Sequence, residues 1–259
     1  MIFCFSGTGN TRYVADKLHD ELGDDVLRLP PGMMKRPELI NVNVTDGRVI
    51  WAFPVHCWAP PHTVSKVMRR ATITSDTPLT HHLVCTCGDD IGYADRVWLS
   101  IVKKRGWTAG HIASAQMPNT YTSLPGFDID PKEVADAKIE AVGDRMKAIA
   151  ADIESGMWGV DVVRGSYPWL KTRMLYPLFR AFLSSTGPFH TNDQCQGCGR
   201  CARNCPMTSI QIVNGKPVWA KDCNVCMRCY HCCPTRAVEY GPFTKGKGQF
   251  ICPGFSIKQ

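Results

Sequence analysis

The sequence predicts an α/β domain with a doubly wound, five-stranded parallel sheet, followed by a small cysteine-rich α+β domain. Two observations predict this arrangement. Strand-like and helix-like segments alternate over about the first 155 residues, as in a parallel sheet covered by helices on both faces. Eight of the 14 cysteines then fall between Cys195 and Cys233, in two copies of one spacing.

The five predicted strands are short apolar runs bounded by turn residues. They cover residues 2–5, 26–29, 49–53, 83–87 and 107–117. A first helix is predicted over residues 11–22, because Val14, Leu18 and Leu22 share one helical face. Further helices are predicted over residues 63–70 and through Trp98 and Ile101.

The last helix of this domain is predicted to begin at Asp130-Pro131-Lys132-Glu133. Asp130 is the expected N-cap, Pro131 occupies the first turn and Glu133 follows at N3. Apolar residues then recur every three or four positions, which predicts one buried face. They are Ala135, Ile139, Val142, Met146, Ile149 and Ile153.

The composition indicates a globular protein, with 44% hydrophobic and 20% charged residues in 259. No apolar run approaches the roughly 20 residues that span a bilayer. The apolar residues 1–5 are too few for a signal peptide and lack a basic leader. We therefore expect a cytoplasmic protein without a transmembrane segment, whose cysteines bind metal rather than form disulfides.

The cysteines form an internal repeat. Residues 195–206 contain Cys-x2-Cys-x2-Cys-x3-Cys-Pro, and residues 223–234 repeat this motif 28 positions later. Ile210 and Val238 also match at that offset. Three cysteines at x2 intervals let one loop wrap three corners of an iron–sulfur cubane. Zinc is the alternative, since paired Cys-x2-Cys is also zinc spacing, but zinc does not explain the third cysteine or the Cys-Pro.

Residues 191–240 resemble bacterial-type two-cluster ferredoxins. The resemblance implies two [4Fe–4S] clusters that handle single electrons at low potential, and the fourth cysteine of each motif ligates the opposite cluster. The first cluster is thus expected on Cys195, Cys198, Cys201 and Cys233, and the second on Cys223, Cys226, Cys229 and Cys205. Cys232 also lies at x2 from Cys229, but the match of Cys233 to Cys205 favours Cys233.

A second motif lies between the first strand and the first helix. It reads Ser6-Gly7-Thr8-Gly9-Asn10-Thr11 and resembles the flavodoxin phosphate loop, Ser/Thr-x-Thr-Gly-x-Thr. The resemblance implies a flavodoxin-like fold in which Ser6, Thr8, Asn10 and Thr11 bind the phosphate of FMN. Gly7 and Gly9 allow the backbone to approach the phosphate closely. An ordinary strand–helix turn with an N-cap is the alternative.

Two further loops support a flavin site at this edge of the sheet. The loop after the third strand begins at Pro54 and offers Trp58 for stacking on the flavin ring. The loop after the fourth strand offers Gly88, Asp89 and the aromatic Tyr93. Each aromatic side chain has packing in the core as its alternative role.

The order of these parts resembles a family of fused flavodoxin–ferredoxin proteins. The predicted domains are a flavodoxin-like FMN-binding domain (1–155), a connector (156–190), a two-cluster ferredoxin-like domain (191–240) and a tail (241–259). Residues 169–185 of the connector are apolar and basic, and we favour a helix packed between the domains over one lying on a membrane. Lys245, Lys247 and Lys258 suggest a solvated tail.

The expected function is electron transfer between the clusters and FMN, with unidentified redox proteins as donor and acceptor. The alternative is an FMN-dependent reductase of a small molecule, fed through its own clusters, and a third interpretation has a degenerate flavin site. The formal charge of +7 falls close to zero once two clusters add about −4 and a phosphate about −2. We therefore expect no nucleic-acid partner.

Overall fold

The computed structural model describes residues 1–183 and 185–258. The strands in these ranges are β1 (Ile2–Cys4), β2 (Val26–Arg28), β3 (Asn41–Asn43), β4 (Arg48–Pro54), β5 (Thr72–Thr74), β6 (Thr80–Cys87), β7 (Thr108–Gln116), β8 (Val160–Asp161), β9 (Phe189–Thr191), β10 (Ile210–Val213), β11 (Lys216–Trp219) and β12 (Val238–Tyr240). The helices are α1 (Asn10–Leu22), α2 (Pro31–Lys35), α3 (His62–Arg70), α4 (Ala94–Lys104), α5 (Lys132–Glu154), α6 (Pro168–Leu170), α7 (Tyr176–Leu178), α8 (Arg200–Arg203) and α9 (Arg228–His231). A 3₁₀ turn lies at Pro37–Leu39, and the wider π-helical turns Lys171–Leu175 and Phe179–Leu183 follow α6 and α7.

Six parallel strands form the main sheet, in the order β2-β1-β4-β6-β7-β8. The first five of these strands, counted along the chain, follow the order 2-1-3-4-5, which is the flavodoxin-like arrangement. All five predicted strands are present, and the predicted fold class is confirmed. The edge strand β8 was not predicted; it pairs Val160 with Ile112 of β7 and lies beyond residue 155, where the first domain was expected to end.

Helices cover both faces of this sheet. Trp51 and Phe53 of β4 pack with Trp98 of α4 on one face. On the other face, Leu18 of α1 and Met146 of α5 belong to a second buried cluster. Because the strands are parallel, the loops that follow β1, β4, β6 and β7 meet at one edge of the sheet. The predicted flavin residues lie in these loops.

The N-terminus of α5 differs from its prediction. The helix begins at Lys132 after Pro131, and no side chain caps it. The expected cap, Asp130, instead accepts a hydrogen bond from the Asn119 backbone amide at 2.9 Å and pairs with Lys138 at 2.7 Å. Asp130 therefore fixes the loop after β7, which belongs to the edge of the sheet that carries the site.

The connector also differs from its prediction. Several of its apolar side chains are exposed by 41–57%, so only one side of this segment packs against the protein; the exposed residues are Trp169, Leu170, Met174, Leu175 and Leu178. The inward side carries Thr172 and Phe179, which are buried. Residue 184 and the side chains of Phe182 and Leu183, which belonged to the predicted apolar stretch, lie outside the described residues. Within the described ranges, no helix is both long and apolar enough to cross a membrane.

The tail is folded against the rest of the chain, so the prediction of a solvated tail is wrong. Lys247 Nζ donates to the carbonyls of Thr122 at 2.8 Å and Leu124 at 2.6 Å. Cys252 is buried, and its amide donates to the Thr8 carbonyl at 3.0 Å. The tail thus covers the outer side of the loop between β1 and α1, while Lys245 and the Lys258 side chain remain exposed.

Candidate functional site

A cavity of about 430 Å³ opens at the carboxyl edge of the sheet. Most of the residues predicted to bind a flavin line it; they are Ser6, Gly7, Thr8, Asn10, Thr11, Pro54, Trp58, Gly88 and Asp89. Gly9 and Tyr93 are not among its walls. A Cβ at Gly9 would meet Phe255 and Cys252 of the tail, and the Tyr93 ring lies 3.9 Å from the Arg96 guanidinium.

The loop between β1 and α1 is held by its own side chains. Thr11 Oγ1 is 2.7 Å from Thr86 Oγ1, and Asn10 Nδ2 donates to the Pro118 carbonyl at 2.7 Å. Thr8 Oγ1 donates to Thr120 Oγ1 over a longer distance of 3.3 Å. These polar groups are thus already engaged within the protein. The first backbone amides of α1 are available for an anion, and the helix also supplies positive potential there.

One polar atom of this loop has no partner. Asn10 Oδ1 is buried and accepts no hydrogen bond among the described residues. An acceptor oxygen suits a ligand hydroxyl rather than a phosphate. The loop therefore fits a ligand with an anionic group at the start of α1 and a hydroxyl beside Asn10, a combination that FMN supplies.

Trp58 is presented to the cavity by a strained turn. Cys57 and Trp58 have φ of 48° and 61°, a backbone conformation that residues other than glycine seldom adopt. The connector holds this turn from behind, because Thr172 Oγ1 donates to the Trp58 carbonyl at 2.9 Å and Lys171 Nζ lies 5.4 Å from the Trp58 ring. Lys171 in turn pairs with Asp90 at 2.5 Å.

His56 precedes this turn and is neutral. Burial lowers the pKa of His56 to about 4. Its backbone amide and carbonyl both bond to Ala59, which closes the turn. The His56 side chain therefore forms an uncharged wall of the cavity at ordinary pH.

Several walls of the cavity come from residues outside the predicted flavin set. The side chain of Tyr121 lies edge-on to Phe127 and Phe179, with ring centroids 5.8 and 6.2 Å apart. Lys171 comes from the connector, and Val225, Cys226 and Met227 come from the second cysteine motif. No local signal in the sequence indicates that these segments meet the β1–α1 loop, because the contacts join residues far apart in the chain.

The two cysteine motifs adopt matching backbones, as the repeat predicts. The first residues of α8 and α9, Arg200 and Arg228, are 28 positions apart, like the motifs. The Cys205 sulfur accepts the Ser209 amide at 3.3 Å, and the Cys233 sulfur accepts the Ala237 amide at 3.2 Å. Such N–H···S contacts stabilise thiolates.

Cysteines of each motif influence the pKa of cysteines in the other motif. Burial raises the pKa of Cys201 to about 11, and Cys233 of the other motif contributes along with Cys198 and Cys195. Burial also raises the pKa of Cys223 to about 12, with contributions from Cys226 and from Cys205 of the first motif. The neighbours of each trio thus include the fourth cysteine of the opposite motif.

The cysteine side chains indicate which kind of metal group they can bind. All of the cysteines in the described ranges are free thiols. No group of three or more Cys, His, Asp or Glu side chains among the described residues is arranged to hold a single metal ion. The donor set is nonetheless all sulfur, with backbone amides directed at the thiols, and this chemistry fits an iron–sulfur cluster.

Cys232 occupies the position that corresponds to Asn204 in the first motif. It is buried, and its thiol donates to the Cys229 carbonyl at 3.7 Å. Burial raises the pKa of Cys232 to about 12, with smaller effects from Cys201 and Cys233. Cys232 therefore lies close to the sulfurs of the first predicted cluster.

Arg228 joins the second motif to the β1–α1 loop. Its guanidinium donates to the carbonyls of Ser6, at 2.7 Å, and of Gly7. The same group donates to the Asn204 carbonyl at 3.0 Å and lies 4.7 Å from the Phe255 ring. One cation thus fixes the loop, both cysteine motifs and the tail together.

His231 makes a second link across this boundary. The Phe250 amide donates to His231 Nδ1 at 3.2 Å, so Nε2 carries the proton and donates to the Thr120 carbonyl at 2.8 Å. Burial lowers the pKa of His231 to about 4, which keeps the ring neutral. The loop after β7 is thereby tied to the end of α9 and to the tail.

Comparison with known proteins assigns the cysteine-rich part. No protein-family model matches the chain. Its C-terminal part is 44% identical over 50 residues to a ferredoxin of Methanothermococcus thermolithotrophicus, covering 18% of this chain and 83% of that protein.

Two solved structures resemble a larger part of the chain. The Trp repressor binding protein from Bacillus subtilis is 10% identical, with a TM-score of 0.32, over 55% of this chain and 93% of its own. The NAD(P)H:quinone oxidoreductase from Methanothermobacter marburgensis is 12% identical, with a TM-score of 0.33, over 59% of this chain and 94% of its own. At these TM-scores neither resemblance supports an argument about function.

Proposed function

The chain belongs to the ferredoxin family through its C-terminal part, and we propose that it carries electrons between two [4Fe–4S] clusters and FMN. Cys226 carries this proposal, because it is a predicted ligand of the second cluster and also lines the cavity beside the β1–α1 loop. A Cβ at Gly7 would lie 3.3 Å from the Cβ of Cys226. A flavin in this cavity and a cluster on the second motif would therefore be direct neighbours.

The residues around the cavity have separate roles in this proposal. FMN can exchange two electrons and each cluster exchanges one. Together they couple two-electron transfer to one-electron transfer. The first amides of α1 bind the phosphate, and Trp58 packs against the ring and excludes water. Arg228 fixes the distance between the loop and the second motif through its bonds to Ser6 and Gly7.

We propose the crossed ligand sets for the clusters. Cys195, Cys198, Cys201 and Cys233 hold the first, and Cys223, Cys226, Cys229 and Cys205 hold the second. The electrostatic coupling of Cys201 to Cys233, and of Cys223 to Cys205, supports this assignment. Cys198 is exposed, so the first cluster is the one that a donor or acceptor protein reaches from solvent.

We propose the two-domain organisation that the sequence predicts. A flavodoxin-like domain that binds FMN and a ferredoxin-like domain that holds the clusters are joined by the connector. Contacts from Arg228, His231 and the tail link the two parts. Donor and acceptor are redox proteins, and no nucleic acid is involved.

Rapid mixing of the anaerobic holoprotein with a reduced ferredoxin, a protein donor too large to enter the flavin cavity, tests the relay. We expect the flavin absorbance to bleach through the clusters, and to bleach at least tenfold more slowly when Cys223→Ala and Cys226→Ala remove the second cluster. Cys232→Ala is the matched control and should retain the wild-type rate. Equal flavin rates in the double variant and the wild type would exclude a relay through the second cluster.

A second candidate function is the reduction of a small molecule over the flavin. The observation in its favour is that the aromatic side chains of Tyr121 and Phe127 line the cavity as well as Trp58. Trp58 and Tyr121 line the cavity, whereas Tyr93 does not. A Tyr121→Ala variant distinguishes the two functions: an enzyme loses acceptor turnover while the rate of electron transfer from clusters to flavin is unchanged.

A further inference from the structure

A second cavity, here called the basic cavity, lies on the other side of the Trp58 turn. Its volume is about 350 Å³, and it lies between the start of α3, the connector and the second cysteine motif. His56 and Val225 line both this cavity and the larger one. Of the four cysteines proposed to hold the second cluster, only Cys223 reaches its walls, so the basic cavity lies outside that cluster.

The walls of the basic cavity carry an excess of positive charge. Four of the lining residues are cations; they are Lys35, Lys66, Arg180 and Lys221. Asp222 is the one acidic residue among the described lining residues, and it pairs with Lys35 at 2.9 Å. The pKa of His62 is lowered by burial and further by the charges of Arg180, Arg69 and Lys66. The described lining thus carries more positive than negative charge, which favours an anion.

The same walls have hydrogen-bond donors without partners. Thr63 Oγ1 and Asn224 Nδ2 are buried and have no hydrogen-bond partner among the described residues. Thr63 is 8% exposed and belongs to the first turn of α3, where backbone amides lack helical acceptors. An oxyanion is the ligand class that such donors and the start of a helix bind.

The remaining walls are apolar. Tyr176 and Phe179 of the connector line the cavity together with Met34 and Met207. A bare inorganic ion would leave this part of the cavity unfilled. An anionic head group near the lysines and an apolar body against the aromatic rings match both halves of the lining.

We propose that the basic cavity binds a small molecule in which a carboxylate or phosphate is joined to an apolar body. This inference goes beyond electron transfer, and it does not require FMN or the clusters to have the proposed roles. The bound molecule would lie beside Cys223 and behind the turn that carries Trp58. A ligand here would thus contact both halves of the proposed electron path.

Calorimetric titration of the anaerobic holoprotein, saturated with FMN to fill the larger cavity, tests the proposal. The probes are benzoate, phenyl phosphate and the uncharged benzamide. We expect one equivalent of benzoate or of phenyl phosphate to bind, at least tenfold more tightly than benzamide. The tighter of the two anions identifies the head group. No saturable binding of either anion up to about 10 mM would overturn the proposal.

Variants locate the site. Lys66→Gln and Lys221→Gln, made singly, should each weaken anion binding at least fivefold, because each removes one positive charge from the lining. Lys245→Gln, at an exposed lysine of the tail, is the matched control and should leave binding unchanged.

The Thr63→Val variant distinguishes a role of the Thr63 hydroxyl in anion binding from a role in protein stability. This hydroxyl has no partner in the protein, so the melting temperature should stay the same or rise while the anion binds more weakly. Anion binding that survives all three lining variants would place the anion elsewhere and contradict the proposal.

Discussion

A Cβ at Gly7 would lie 3.3 Å from both the Cβ and the carbonyl oxygen of Cys226. The β1–α1 loop and the second cysteine motif therefore approach each other closely at Gly7, which has no side chain. Arg228, two residues after Cys226, links the same two segments by donating hydrogen bonds to the carbonyls of Ser6 and Gly7.

Gly7→Leu should separate these two segments. A leucine side chain has no room beside Cys226, and overpacking of this kind costs about 1–3 kcal/mol of stability. We expect a lower melting temperature and a slower transfer of electrons from clusters to flavin. Gly32→Leu is the control, because nothing lies within 4 Å of a Cβ there, and it should change neither quantity. Unchanged transfer in Gly7→Leu would argue against this contact as the path.

Thr8→Asp tests the phosphate loop. Thr8 is buried and lines the cavity, so a carboxylate there repels the phosphate of FMN. We expect FMN affinity, measured by flavin fluorescence, to fall at least 100-fold while the iron content is unchanged. Thr8→Ser keeps the hydroxyl and should bind FMN like the wild type. Equal affinity in the two variants would refute the phosphate-loop assignment.

Pairs of cysteine variants test the crossed ligands. If Cys205 serves the second cluster, then Cys205→Ala with Cys226→Ala removes one cluster and leaves about four irons per chain. Cys205→Ala with Cys198→Ala then removes both clusters. Cys232→Ala alone should retain about eight irons. The opposite result for the two pairs would mean that each motif holds its own cluster.

Buried histidines predict a loss of stability in mild acid. Burial lowers the pKa of His81 to about 3 and of His82 to about 4, and the Nδ1 atom of each accepts a hydrogen bond, from Trp51 Nε1 and the His111 amide respectively. The unfolded chain binds protons near pH 6.5. Stability is therefore complete above that pH and falls as the pH drops from 6.5 towards 4, by up to about 1.4 kcal/mol per pH unit for each ring.

Anaerobic urea unfolding of His81→Phe measures this effect. Other buried imidazoles and the acid lability of metal sites add to the wild-type slope, so the comparison between variants is decisive. His81→Phe should be less stable overall but show a shallower pH dependence. An unchanged slope in His81→Phe would show that His81 does not titrate on unfolding.

The sequence predicted the local elements well and the long-range packing poorly. The buried strands around Trp51 and Leu83 are continuous apolar runs, and the buried face of α5 repeats every three or four residues, so these elements form as expected. Strand β8 has only two residues, both exposed, so it carries no hydrophobic signal. Asp130 has the sequence context of a helix cap, yet the Asn119 amide and Lys138 compete for its carboxylate.

The candidate site shows the same division. The β1–α1 loop and the cysteine repeat were recognisable because each is a contiguous motif. The approach of Cys226 to Gly7 and the folding of the tail over Thr8 join distant segments. Contacts of this kind have no local signal in the sequence, so they could not be predicted from it.

Cofactor analysis of anaerobically purified protein tests the central claim most directly. Iron, acid-labile sulfide and extracted flavin are measured on the same sample, relative to protein. The account predicts about eight irons, about eight sulfides and about one FMN per chain. Zinc in place of iron, or clusters without flavin after saturation with FMN, would contradict it.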